Sequence, residues 1–125
     1  KVLTRLDKGY RAVALEAKKF EPRILMLVHG YDYALPRKNG KWLGTPMKGK
    51  GFSHDDPISP KIIAFLVDRF NELLKAVDAD FAHVRHVNVR GTVKGRWHDE
   101  LHPKEAAARD VAKLFEKEIR PLLVS

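Results

Sequence analysis

The chain has 125 residues, 44% hydrophobic and 32% charged, with a formal net charge of +8 and no cysteine. That size supports one domain with a modest core, and the missing cysteine excludes disulfides, zinc–thiolate sites and a Cys nucleophile. The longest apolar run, Ile62 to Val67, falls far short of the roughly 18–20 residues of a transmembrane helix, so no membrane span is expected.

The positive balance favours anionic partners, but the lysines and arginines are scattered, as on a solvated basic surface. Nucleic acid is therefore not an expected partner. No secretory signal pattern is visible. The chain starts without Met inside a helix-like pattern, and a processed or truncated product is expected.

Leu3, Leu6, Tyr10, Val13, Ala17 and Phe20 recur at spacings of three and four, which predicts an amphipathic helix over 3–20. Glu21-Pro22 ends it. Ile24 to Val28 is a continuous apolar run, the pattern of a strand buried on both faces of a parallel sheet. His29, Tyr31 and Asp32 follow at its C-terminal end, where α/β proteins place their sites. His29 equally suits a histidine bonded to backbone at a strand end.

Residues 34–57 hold four glycines and three prolines without a helical or strand period, which predicts a lid or rim loop. Trp42 and Phe52 within it are expected to pack on something. Arg37, Lys38, Lys41, Lys48 and Lys50 could meet an anionic substrate, although a solvated loop face is the simpler explanation.

Ser59-Pro60 predicts a helix start with Ser as N-cap, and Ile62, Ile63, Leu66, Val67, Phe70, Leu73, Leu74 and Val77 carry the helix to about Asp80. Val84 to Val89 largely alternates apolar and polar, as in a strand near a sheet edge, and Arg90-Gly91-Thr92 breaks it. Pro103 is expected to open a last helix with Ala107, Val111, Leu114, Phe115 and Ile119 inside and Pro121 as its stop. The order α-β-α-β-α implies an α/β fold with parallel strands. Two such strands alone make a poor sheet. The chain is expected to be a single domain over 1–125 that forms part of a larger one, or to pair with another chain.

Chemistry concentrates in Trp97-His98-Asp99-Glu100-Leu101-His102-Pro103. A helical zinc site needs His-Glu-x-x-His, but Asp follows His98, and Pro103 biases His102 away from helical geometry, so metal is not expected. Asp99 and His102 suit an acid–base unit, because a three-residue offset can fold the carboxylate onto Nδ1 and leave Nε2 facing the site. The same spacing suits Asp99 capping a turn beside an exposed His102. Residue types alone leave both readings open.

Arg90-Gly91-Thr92, then Trp97 to Pro103, then a helix, resembles the last motif block of the SGNH (GDSL-type) hydrolases. Val87-Asn88-Val89-Arg90-Gly91, Phe70-Asn71-Glu72-Leu73-Leu74 and the strand Ile24 to Gly30 are also similar to that family. The resemblance implies the C-terminal part of a three-layer α/β/α esterase or deacylase. His102 would be the general base and Asp99 its orienter, with His29, Tyr31, Asp32, Trp42 and Trp97 lining the pocket. The implied substrate is an ester or an acylated small molecule or glycan, with neither metal nor organic cofactor. The family's Gly-Asp-Ser block and its oxyanion-hole blocks have no match here. Gly30-Tyr31-Asp32 lacks the Asn of the family's Gly-x-Asn-Asp block, and its strand is placed after that missing block. Ser53, Ser59 and Ser125 do not sit as nucleophiles, so the chain alone is expected to be nearly inactive. The competing class is a non-catalytic basic module that binds an anionic polymer.

Overall fold

Apolar spacing and proline placement set most of the local structure. The computed structural model, which describes residues 1–123, runs α1 (Val2–Lys18), β1 (Met26–Val28), α2 (Gly44–Lys48), α3 (Ser59–Asp80), β2 (Val84–His86) and α4 (Glu105–Leu123). The fold is mixed α/β. The two strands are parallel neighbours, with Met26 opposite Val84 and Val28 opposite His86. The expected order holds, with the short helix α2 added inside the 34–57 loop.

Two apolar clusters hold these elements together. Ala14, Val28, Leu74, Val77 and Val84 join α1, the sheet and α3. Ala34, Ile63, Val93, Trp97 and Ala107 join α3, α4 and the loops that carry the chemistry.

Several expectations are corrected. On α1 the wholly buried residue is Ala14, with Leu3, Tyr10 and Ala17 of the expected stripe half-buried beside it, while Leu6 and Val13 stay exposed and Phe20 lies exposed beyond the helix end. The first strand is not buried on both faces: Ile24 is 39% exposed and Met26 and Leu27 are half-buried, because β2 is the neighbour on one side only. On α3, Leu66 is 54% exposed and turned away from the core. Ser59 does not cap α3; Ile58 holds that position, and the buried Ser59 hydroxyl donates to the Ser53 carbonyl at 2.6 Å. Pro103 does not open α4 but pairs with Trp97 in an antiparallel bridge. Pro121 lies inside α4, where it removes one helical hydrogen bond near the end.

The two sheet edges differ. On the outer side of β2, the His86 N–H donates to the Asp78 carboxylate at 2.7 Å and the Val84 N–H to the Phe81 carbonyl at 3.0 Å. On β1, the Met26 N–H and the Val28 carbonyl face β2's side, so the Leu27 peptide groups face the other way. Among the described residues no strand pairs there. Apolar side chains lie near β1: Leu6, Tyr10 and Val13 border Met26, and Leu122 shares a cavity at the start of the two strands with Ile24, Leu25 and Ala82.

Asn71 ties the fold to the site. It is wholly buried, its Nδ2 donates to the Val67 carbonyl at 2.9 Å and the Gly30 carbonyl at 3.1 Å, and its Oδ1 accepts from His86 Nε2 at 2.9 Å. A Cβ at Gly30 would lie 2.6 Å from the Asn71 side chain, so only glycine lets the strand end approach α3. Asn71→Leu keeps the volume but orphans these buried partners, and urea unfolding should show a loss of about 2–4 kcal/mol. Burial, aided by the charge of Arg90, holds the His86 pKa below 6.5. The unfolded chain therefore takes up this proton first as pH falls. Its stability contribution is complete above about pH 6.5 and declines toward the lower folded value. The urea midpoint should fall over that window, and fall less in His86→Gln.

Candidate functional site

The loop after β2 has little regular structure, so side chains must hold it. Asp32, at the C-terminal end of β1, does so from below. Its buried carboxylate accepts the N–H groups of Gly91 at 2.6 Å, Val93 at 2.7 Å and Tyr33 at 2.7 Å. Arg96 donates to the Thr92 carbonyl at 2.7 Å and pairs with Asp110 of α4 at 2.9 Å. The Trp97–Pro103 bridge closes the seven-residue segment, with the His98 N–H on the His102 carbonyl at 2.7 Å.

Within this closed segment the Asp99 carboxylate lies on His102. Oδ2 accepts from Nδ1 at 2.7 Å, while Oδ1 accepts the backbone N–H groups of Leu101 at 2.8 Å and His102 at 2.7 Å. Asp99 therefore both caps the turn and lies on the imidazole, the two contacts that the sequence left as alternatives. Those two N–H groups, then the imidazole, hold the Asp99 carboxyl well below the usual carboxylate range. The His102 side chain is 66% exposed, and with Nδ1 turned to Asp99 its Nε2 is the ring nitrogen left for chemistry.

Glu100 points the opposite way. It is buried, and its carboxylate accepts four backbone N–H groups, from Arg37 at 3.0 Å, Trp42 at 2.9 Å, Leu43 at 3.1 Å and Gly44 at 2.7 Å. Burial pushes its pKa up, but the four donors outweigh that and leave it below the ordinary value. Arg37 completes the clasp, its guanidinium donating to the carbonyls of Trp97 at 3.0 Å and His98 at 2.9 Å. The first part of the 34–57 loop is thus anchored beside the Trp97–Pro103 segment.

The expected pocket residues divide into two groups. His29, Tyr31 and Trp97 form a row of rings, with centroids 6.4 Å apart for His29–Tyr31 and 5.8 Å for Tyr31–Trp97. The Tyr31 backbone is held at φ +75°, a region that L residues rarely adopt. Burial and the charge of Asp99 raise the Tyr31 hydroxyl pKa, so the phenol stays protonated. Partial desolvation lowers that of His29, whose ring lies edge-on to Phe115 at 5.5 Å. Trp97 is only 5% exposed and belongs to the second core cluster, and Asp32 is a buried backbone clamp; neither lines an open pocket. Trp42 is 50% exposed, with the Lys41 ammonium 4.9 Å from its ring centroid.

No family model, no curated protein and no solved structure matches this chain.

The serines stand apart from the pair. The Ser53 hydroxyl bonds to Asp55, Ser59 is buried against Ser53, and Ser125 lies outside the described residues. Sequence reasoning missed Glu100, Arg37 and the clamp role of Asp32. The signal available for Glu100 was two glycines: a Cβ at Gly40 would fall 2.1 Å from its carboxylate, and one at Gly44 would fall 1.8 Å from the Arg37 carbonyl. Glu100→Gln leaves one acceptor oxygen and sets an NH2 against backbone donors. It should lose about 2–4 kcal/mol and speed hydrogen exchange at the Arg37, Trp42, Leu43 and Gly44 amides.

Proposed function

We propose that this chain supplies the acid–base part of a serine ester hydrolase of the SGNH type. The observation that carries this reading is the oriented pair, with His102 Nδ1 bound at 2.7 Å by a carboxylate that two backbone N–H groups hold in place. A carboxylate so held stays ionised, keeps the Nδ1–H tautomer and stabilises the imidazolium. Nε2 takes the proton of a serine hydroxyl as that oxygen attacks the ester carbonyl. The same proton passes to the departing alkoxide, leaving an acyl-serine that water hydrolyses by the reverse relay.

The serine and its oxyanion donors come from polypeptide other than this chain. The unpaired outer edge of β1, with apolar side chains nearby, supports a sheet that continues into that polypeptide as a three-layer α/β/α domain. Substrates are esters or acylated small molecules or glycans, approached across the Tyr31 ring and the anchored rim.

The test is hydrolysis of a simple aryl ester by the longer gene product that contains this chain. His102→Ala should lower kcat/KM by about a thousandfold or more, and Asp99→Asn by about a hundredfold or more, with KM little changed in both. Full activity in His102→Ala would sink the assignment.

A further inference from the structure

Residues 37–54 curl around a small cavity of about 220 Å3, lined by Arg37, Lys38, Asn39, Thr45, Lys48 and His54, among others. The clasp on Glu100 gives the cavity its shape. It draws the backbone at Arg37 and at Trp42 to Gly44 onto one carboxylate, so the side chains between and after them close over a common space.

The charge inside is unbalanced. Three permanent cations, Arg37, Lys38 and Lys48, face it. The nearby carboxylates are Glu100, whose oxygens accept four backbone N–H groups, and Asp55, which is bonded to Ser53 and lies 4.0 Å from His54. The Arg37 guanidinium is occupied by the carbonyls of Trp97 and His98. Lys38 lies within the field of Asp55 without a hydrogen bond to it, and Lys48 lines the cavity beside Thr45 and Asn39, so both ammonium groups can turn to a ligand.

We infer that this cavity binds a tetrahedral oxyanion, a phosphate or sulfate group, with Lys38 and Lys48 as its charge partners and Thr45 and Asn39 as neutral donors. A compact set of cations with neutral donors matches the charge and the several acceptor oxygens of such a group. Arg37 bridges the cavity to the Trp97–His98 backbone, so an anion seated there lies alongside the Asp99/His102 segment. It would hold an ester substrate by a phosphate or sulfate substituent. That last consequence rests on the ester-hydrolase reading; the binding itself does not.

The experiment titrates the isotope-labelled chain with inorganic phosphate and with sulfate at constant ionic strength, using chloride as the control. Saturable one-site binding is expected, with amide shifts centred on Lys38, Thr45, Lys48 and His54. Lys38→Ala/Lys48→Ala should weaken it about tenfold or more, and Thr45→Val should weaken it less. Lys113→Ala/Lys117→Ala, which removes the same charge from α4, should leave it unchanged. Equal weakening by the two double variants, shifts spread over many lysines without saturation, or no shift at all would overturn the site. His102→Ala should keep the phosphate affinity, so failure of the hydrolase reading and failure of this site give different results.

Discussion

The geometry of the Trp97–Pro103 segment depends on one buried carboxylate. Glu100 gathers N–H groups from residues 56 to 63 positions earlier in the chain, a separation that no local turn can bridge. Burying a charge is unfavourable unless hydrogen bonds replace its water, and four charge-assisted donors do that without a counter-ion. The 34–57 loop, whose short helix α2 begins at Gly44, and the irregular segment after β2 are thereby joined into one body. Asp32 does the same for the start of the segment with three donors. The site is framed by two such carboxylate clasps and the aromatic core between them.

Adjacent residues divide the work. Asp99 turns outward to His102 and Glu100 inward to the 37–44 backbone, from neighbouring positions of the bent segment between Trp97 and Pro103. The inward acid sets where the segment sits. The outward acid sets the direction of His102. Because Asp99 is held by N–H groups of its own segment, the imidazole's orientation is a local property that the clasp at Glu100 carries into place.

What could be read in the sequence follows from how local its cause is. Helix α3 announced itself through Ser59-Pro60 and eight apolar positions, since periodicity and a proline at the start act over a few residues. The Asp99/His102 contact was equally legible, because both partners lie within one turn. The serine cap failed because Asp56 takes up the Ile58 N–H at 3.0 Å and Ser59 turns to Ser53. Trp97 was misplaced in the pocket because an aromatic beside titratable groups looks the same whether it faces a ligand or the core. Glu100 and Asp32 were illegible for a deeper reason. A lone acid in a loop does not say which distant N–H groups will converge on it, and those groups carry no residue signature except the glycines that let them approach.

The difference between the two sheet edges has a consequence for assembly. Edge-to-edge polymerisation requires every molecule to offer two free edges, one to receive a neighbour and one to pass the array on. Here Asp78 and Phe81 occupy the outer N–H groups of β2, and among the described residues only β1 offers a free side. Whatever strand pairs with β1 uses up the molecule's capacity for further growth. The chain can be completed once, and a fibre built through its sheet has no second face on which to propagate.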